Sequence, residues 1–316
     1  MTNRAFTFPG QGSQAVGMGK DLAAAFPEAR AVFNEVDEAL GERLSALMFE
    51  GPEDVLRLTE NAQPALMAVS LAVVRVLEAK GVALVDHASF VAGHSLGEYS
   101  ALCAAGTFSL SDTARLLRTR GKAMQAAVPV GQGAMAALLG LDFETAQAVA
   151  QEAAQGGVCD LANDNSPGQL VVSGDVQAIE RAVEIAKAKG AKRALLLPVS
   201  APFHCRLMQP AADTMAQALA EVGMLSPVVP LVANVTARPV SDPEAIRAHL
   251  VDQVTGMVRW TQSVGWMTSE GKIGQLLELG SGKVLTGLAK RIDPAVQALS
   301  LSSPADIDGF AASLAG

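Results

Sequence analysis

Between Val130 and about Val199 the chain runs through its patterns in an order that few architectures accept. Ala134 to Leu141 is apolar and strand-like, Phe143 to Gln155 has helical spacing, and Val158 to Ala162 is again a strand pattern. Ser166-Pro167-Gly168 is a turn, Gln169 to Ser173 a strand, Val176 to Lys189 a helix and Arg193 to Val199 a strand. Strand-helix-strand-strand-helix-strand within about 70 residues is the ferredoxin-like pattern.

The flanking segments follow a different rhythm. Ala5 to Phe8 is strand-like and runs into Pro9-Gly10-Gln11-Gly12-Ser13-Gln14, a loop that glycine lets turn sharply. A helix is predicted from about Gln63 to Lys80, with Leu66, Val69, Val73, Val76 and Leu77 on one stripe and Gly81 as its stop. Ser89 to Ala92 is a short buried-strand candidate, followed by Gly93-His94-Ser95-Leu96-Gly97 and then a helix. Ser111-Asp112 should cap another helix reaching about Ala127. After the inserted segment come a helix over Leu207 to Val222, strands over Val229 to Val235 and Gly274 to Leu279, and a final strand near Val296 to Leu301. The expected architecture is therefore α/β. A large α/β-hydrolase-like domain with a parallel sheet core, residues 1–130 and 200–316, is interrupted by a small ferredoxin-like domain, residues 131–199.

Composition removes several classes of function. Half of the 316 residues are hydrophobic and 18% are charged, enough apolar material for a sizeable core and too little charge for a disordered chain. Two tryptophans and one tyrosine do not make a stacking platform for single-stranded nucleic acid. A net charge of −8 lacks the electrostatic footprint of a duplex binder, although a local basic patch stays open. No run of apolar residues is long enough to span a membrane. Met1-Thr2-Asn3-Arg4 lacks the apolar core of a signal peptide, and Cys103, Cys159 and Cys205 are too scattered for a disulfide framework. A cytoplasmic protein is expected.

Gly93-His94-Ser95-Leu96-Gly97 matches G-x-S-x-G. In that motif a strained strand-to-helix turn lifts the serine hydroxyl above the sheet, and the next amide points at a developing oxyanion. The predicted strand before it and helix after it supply the context the motif needs; an inert glycine-rich turn is the alternative.

A serine nucleophile needs a proton acceptor, and there are four histidines. His94 adjoins the serine, but neighbouring side chains on a sharp elbow diverge. His87, in a polar connection, and His249, in a helix over Glu244 to Val251, are expected at the surface. His204 follows Pro198-Val199-Ser200-Ala201-Pro202-Phe203, where the chain re-enters the large domain, and domain junctions form clefts. A core or capping histidine remains the other reading. Cys205 beside it, without an elbow or helix start, reads as a small buried hydrophobe.

Arg120 shares its helix face with Leu116, Leu117 and Met124, whereas Arg115, Arg118 and Lys122 lie on another stripe and should be solvated. An inward guanidinium needs an anion. Either an internal Asp or Glu supplies it, or a substrate carboxylate does, gripped by the planar fork.

Other signals fail. Gly280-Ser281-Gly282-Lys283 suggests a phosphate loop, but Leu277 stands where the first glycine belongs and Val284 follows the lysine. The third glycine of a dinucleotide fingerprint is misplaced after Gly10-x-Gly12, and neither C-x-x-C nor H-E-x-x-H occurs, so no metal is implied.

Taken in order, the chain closely resembles the malonyl-CoA:acyl carrier protein transacylase family over nearly its whole length. The resemblance is carried by Phe8 to Gln14, Gln63-Pro64-Ala65, Gly93 to Ser100, Arg120-Gly121-Lys122, Met124-Gln125, Asn165 to Gln169, Pro198-Val199-Ser200 with His204, Trp260-Thr261 and Gly282 to Gly287. It implies a ping-pong reaction. Ser95, activated by His204, takes malonyl from malonyl-CoA as an ester and passes it to the phosphopantetheine thiol of acyl carrier protein in fatty acid biosynthesis. Main-chain amides of Gln11 and Leu96 would form the oxyanion hole, Arg120 would bind the malonyl carboxylate, and the main-chain carbonyl of Gln253 would accept the other ring proton of His204. His94 and Asn165 would support the site. The run Gln253-Val254-Thr255-Gly256-Met257 departs from the Asn-Pro common just after that position, and Ser281 stands where proline is usual. Phe203 resembles the residue found in polyketide-synthase acyltransferases that accept malonyl rather than methylmalonyl, since a ring there crowds an α-methyl group.

No cofactor is implied beyond the two substrates, and a monomer is expected. Docking an acidic carrier protein on a net-negative enzyme needs a local basic surface, for which Lys187, Lys189, Lys192 and Arg193 form one candidate and Lys283, Lys290 and Arg291 another. The competing functions are a serine thioesterase or esterase, a malonyl acyltransferase of a polyketide pathway, and a non-catalytic carrier-binding protein on the same fold.

Overall fold

The computed structural model describes residues 3–315, so Met1 and Thr2 of the N-terminal segment lie outside the described residues. Among the described residues ten strands build two sheets. They are β1 (Arg4–Phe8), β2 (Phe90–Gly93), β3 (Gly133–Leu139), β4 (Cys159–Ser166), β5 (Gln169–Asp175), β6 (Arg193–Leu196), β7 (Leu231–Val232), β8 (Pro239–Val240), β9 (Gln275–Leu279) and β10 (Gln297–Leu301).

The first sheet has the order β10-β9-β1-β2-β7-β8 and is parallel except for the terminal β7–β8 pair. Ala5, Phe6, Thr7 and Phe8 of β1 and all of β9 are buried, as a parallel strand covered by helices on both faces must be. Helix Thr59–Ala79 is apolar around its circumference and lies in the core. It is long and apolar enough to cross a membrane by length and composition, but its residues pack against the neighbouring helices Pro27–Leu40 and Leu110–Ala126. At the centre of the sheet β1 and β2 end level, with Phe8 beside Gly93. The loops that leave these two carboxyl ends flank the crevice where α/β sheets bind ligands.

The second sheet has the order β4-β5-β3-β6 with every pairing antiparallel. Helices Phe143–Ala154 and Val176–Ala188 cover it through a separate apolar cluster that includes Leu138, Val149, Val172 and Ile179. It is joined to the rest by Val258, which exchanges main-chain bonds with Ala162 and Asp164, and by Arg206, whose guanidinium grips Asp160.

Several expected boundaries move for physical reasons. The helix placed from Gln63 begins at Thr59, with Pro64 accommodated in its second turn. The cap of the next long helix is Ser109 rather than Ser111: its extended backbone lets Oγ accept from the Asp112 amide at 3.0 Å. β6 stops at Leu196, short of Pro198, which has no amide to give the ladder. β7 is cut to two residues because Ala233 to Ala237 turns back into β8.

Candidate active site

The elbow is built by glycines that nothing else could replace. A Cβ on Gly93 would lie 1.9 Å from the Gly97 carbonyl group, and one on Gly97 would lie 2.2 Å from the Phe8 oxygen. Ser95 between them is held at φ 53°, a conformation that costs energy for a side-chain-bearing residue. Asn234 clamps this bend from outside: the Ser95 amide donates to its Oδ1 at 2.8 Å, and its Nδ2 donates to the Gly93 carbonyl at 2.6 Å.

His204 brings Nε2 to 2.8 Å from Ser95 Oγ. Its own φ is 58°, so this residue too is fixed in a left-handed conformation. Nδ1 faces two main-chain carbonyls, Gln253 at 2.9 Å and Gly256 at 3.2 Å. Carbonyls only accept, so Nδ1 carries the proton and Nε2 keeps a lone pair for the serine hydroxyl. Burial, and then the nearby charge of Arg120, push this imidazole down to about 3, so it is neutral in the resting site.

Arg120 is 1% exposed. One terminal nitrogen donates to Gln63 Oε1 at 2.7 Å; the other donates to Gln253 Oε1 at 2.8 Å and to Ser95 Oγ at 3.1 Å. Tyr99 lies beneath the guanidinium at 5.6 Å, and Arg120 Nε has no hydrogen-bond partner among the described residues. Among the described residues no carboxylate forms an ion pair with it. The nearest buried acid, Glu98, is reached through the Gln253 amide, whose Nε2 donates to Glu98 Oε2 at 2.6 Å and to the Ser95 carbonyl at 3.0 Å. Burial raises the Glu98 carboxyl to about 7 against the opposing pull of Gln253, Asn234 and Arg120.

Gln11 and Leu96 line the same cleft as Ser95, Arg120, Phe203 and His204, a cavity of about 730 Å³. Neither the Gln11 nor the Leu96 amide donates to another group among the described residues. His94 turns away from the serine, with Nε2 2.8 Å from Asn165 Oδ1 and its ring 5.7 Å from that of Trp260, so it pairs with Asn165 across the cleft. His87 and His249 are half-buried rather than fully exposed, and neither lines the cleft. Cys205 donates its thiol to the Pro202 carbonyl at 3.1 Å, and burial pushes it up to about 11, far from a thiolate. Arg118 departs from expectation: its side chain is only 12% exposed and binds Glu42 and Asn61. No group of three or more His, Cys, Asp or Glu side chains among the described residues is placed to hold a metal ion.

Sequence reasoning missed the side chains of Glu98, Asn234, Thr59 and Gln253. Glu98 had a signal, being three residues after the serine and the one charge on its helix; Asn234 had none, because it arrives from a distant strand end.

The arrangement can take a proton from a serine hydroxyl, hold a covalent ester and neutralise an anion beside it. Residues 5–275 match the profile of the acyl transferase domain, which sets the class. The chain is 49% identical over 304 residues to the malonyl CoA-acyl carrier protein transacylase of Escherichia coli K12, covering 96% of this chain and 97% of that protein. It therefore belongs to the malonyl CoA-acyl carrier protein transacylase family. A solved acyl-carrier-protein S-malonyltransferase from Bartonella henselae superposes with a TM-score of 0.97 at 58% identity, covering 99% of this chain and all of that one. A malonyl-transacylase solved in complex with a type II polyketide-synthase acyl carrier protein superposes at 0.95 with 46% identity, covering 99% and 100%.

Proposed function

We propose that the protein transfers a malonyl group from malonyl-CoA to the phosphopantetheine thiol of acyl carrier protein through a malonyl-Ser95 ester, in fatty acid biosynthesis. In the first half, the Ser95 hydroxyl gives its proton to His204 Nε2 as Oγ attacks the thioester carbonyl carbon. The amides of Gln11 and Leu96, which donate to no other group among the described residues, receive the oxyanion. Collapse breaks the carbon–sulfur bond, and the departing coenzyme A sulfur takes the proton from His204. In the second half the carrier thiol gives its proton to His204 and attacks the ester, and Ser95 Oγ leaves with that proton.

The observation that carries the malonyl reading is Arg120, a buried cation seated by two neutral amides within 3.1 Å of the nucleophile. A carboxylate at the far end of the acyl group supplies the missing anion, whereas an esterase for neutral esters would leave the cation uncompensated. His94 and Asn165 support the cleft wall, and Phe203, which lines it, would crowd an α-methyl group.

The two-sheet layout supports the finer description of a hydrolase-like catalytic domain, residues 1–130 and 200–316, with a ferredoxin-like domain inserted at 131–199. The strand order of the antiparallel sheet is that expected of such an insert. A polyketide carrier protein as acceptor is the second reading, favoured by the relative solved with one.

Incubation with malonyl-CoA followed by mass spectrometry tests the proposal. A malonyl increment confined to the peptide holding Ser95, discharged by holo acyl carrier protein faster than by water, is expected. Rapid turnover without an acceptor would identify a hydrolase instead, and comparing fatty acid and polyketide carrier proteins as acceptors separates the two transfer readings.

A further inference from the structure

Arg120 and the Gln11 loop line the same cleft as the nucleophile, and a continuous chain of side chains joins them. Arg120 donates to Gln63 Oε1 at 2.7 Å, Gln63 Nε2 donates to Thr59 Oγ1 at 3.0 Å, and the Thr59 hydroxyl donates to Gln11 Oε1 at 2.9 Å. We infer that Thr59 is a positioning residue that sets the Gln11 end of the oxyanion hole from the carboxylate-binding arginine. The inference rests on the reading of Gln11 as an oxyanion donor.

The guanidinium forces the direction of the first two bonds in the chain. A guanidinium only donates, so the Gln63 amide must turn its oxygen to Arg120 and its nitrogen to Thr59, with its second hydrogen toward Met124 Sδ at 3.8 Å. Thr59 Oγ1 therefore accepts from Gln63, which leaves its own hydrogen available for the bond it makes to Gln11 Oε1. Thr59, Gln63 and Arg120 are each 1% exposed, where dielectric screening is weak and aligned bonds polarise one another. Gln11 itself is exposed, on a loop next to Gly12, whose φ of 107° puts it in glycine's region. Beyond Gln11 the loop is held by Gly12 donating to Gln14 Oε1 at 2.7 Å and by Ser281 donating to the Ser13 carbonyl at 2.7 Å. Neither tether fixes the rotation of the Gln11 peptide plane; the Thr59 hydroxyl, from a rigid helix, holds the residue that carries it. An oxyanion donor acts only if it is aimed before charge develops.

The test is single-turnover acylation of Ser95 by malonyl-CoA in the full-length enzyme. Thr59→Val keeps the shape and removes the hydroxyl. Acylation should slow by about tenfold, a fraction of what deleting an oxyanion donor costs, with the Kd for malonyl-CoA within about twofold. Thr59→Ser, which keeps the hydroxyl, should recover most of the rate. Gln11→Met retains the main-chain amide on an exposed loop and should show the same loss, and the double variant should be no slower than either single one, because both cut one link. Wild-type acylation in Thr59→Val, failure of serine to rescue, or additive losses in the double variant would overturn the inference. Absence of malonyl-Ser95 in the unmodified enzyme would overturn the proposed function instead.

Discussion

Gln253 meets His204 through its backbone and not its side chain: the main-chain oxygen accepts the Nδ1 proton at 2.9 Å. The side-chain amide is thereby released for a second task, accepting from Arg120 at 2.8 Å while donating to Glu98 at 2.6 Å. One residue thus orients the His204 imidazole with one group and the guanidinium with another.

That division makes the two tasks separable. Gln253→Met keeps the carbonyl and approximate volume but removes the acceptor for Arg120 and the donor for Glu98. Hydrogen bonds to charged groups contribute about 1.5–3 kcal/mol each, so malonyl transfer should fall by roughly ten- to a hundredfold. Because the oxygen that orients His204 remains, acetyl transfer should fall much less. Steady-state rates with malonyl-CoA and acetyl-CoA check this, and an equal fall with both would count against the separation.

Arg120→Ala deletes the fork itself. Malonyl transfer should drop by at least about a hundredfold, and the preference for malonyl over acetyl should collapse, because a monocarboxylic acyl group no longer faces an unpaired buried cation. Competition between the two thioesters reads the ratio directly; an unchanged ratio refutes the carboxylate role.

How far the sequence foretold this site depends on which contacts are local. The elbow was legible because Gly93 and Gly97 are demanded by a clash within one turn, and Arg120 because three- and four-residue spacing exposes an inward charge. His204 could be placed only at a domain junction, with a capping role still open, since its distance to Ser95 depends on a fold spanning 109 residues of chain. The side-chain roles of Thr59, Gln63 and Gln253 were illegible. Polar residues in a helix carry no sign of which buried partner they meet, and apart from the Thr59–Gln63 pair the partners here come from other helices or, for Gln11, from a loop. Helix starts erred for a related reason: Ser109 and Ser111 are both acceptable caps, and only the backbone conformation chose between them.

The pH dependence should be unusual for a histidine base. His204 is pushed down to about 3, first by burial and then by Arg120, so the neutral imidazole persists well below 6.5. The acid limb of kcat/KM, which reports the free enzyme, should lie far below an ordinary histidine value. A bound malonyl carboxylate offsets the charge of Arg120, so the limb in kcat should lie at higher pH than the limb in kcat/KM. Stability follows the same sign: a depressed folded value means that stability from neutral His204 is present above about pH 6.5 and is lost as pH falls toward 3. Glu98, raised to about 7, works oppositely, its contribution being lost as pH rises through that value. Measuring both profiles in a Glu98→Gln background isolates the histidine; a limb of kcat/KM near 6.5 in that background would contradict the assignment.

The structure also distinguishes the two basic clusters considered for carrier-protein docking. Lys187 is held by Glu184 at 2.7 Å and Lys189 by Glu152 at 3.0 Å, so half of the first cluster is already neutralised on its own surface. In the second, Lys283, Lys290 and Arg291 are exposed, and Arg291 meets the neutral Gln169 at 2.9 Å. Lys283 follows Gly282, whose bare Cα lets Ser13 approach, so the Lys283 end of this cluster adjoins the Gln11 to Gln14 loop, of which Gln11, Gly12 and Gln14 line the cleft. An acidic carrier protein delivering a thiol to Ser95 must cover that mouth, and complementary charge there raises its rate of encounter. Reversing Lys283 and Lys290 to Glu should raise the apparent KM for the carrier protein severalfold, more so at low salt, while leaving the KM for malonyl-CoA within about twofold. Reversing Lys187 and Lys189 should do little. If reversing Lys187 and Lys189 raises the carrier-protein KM and reversing Lys283 and Lys290 does not, docking runs over the small sheet instead.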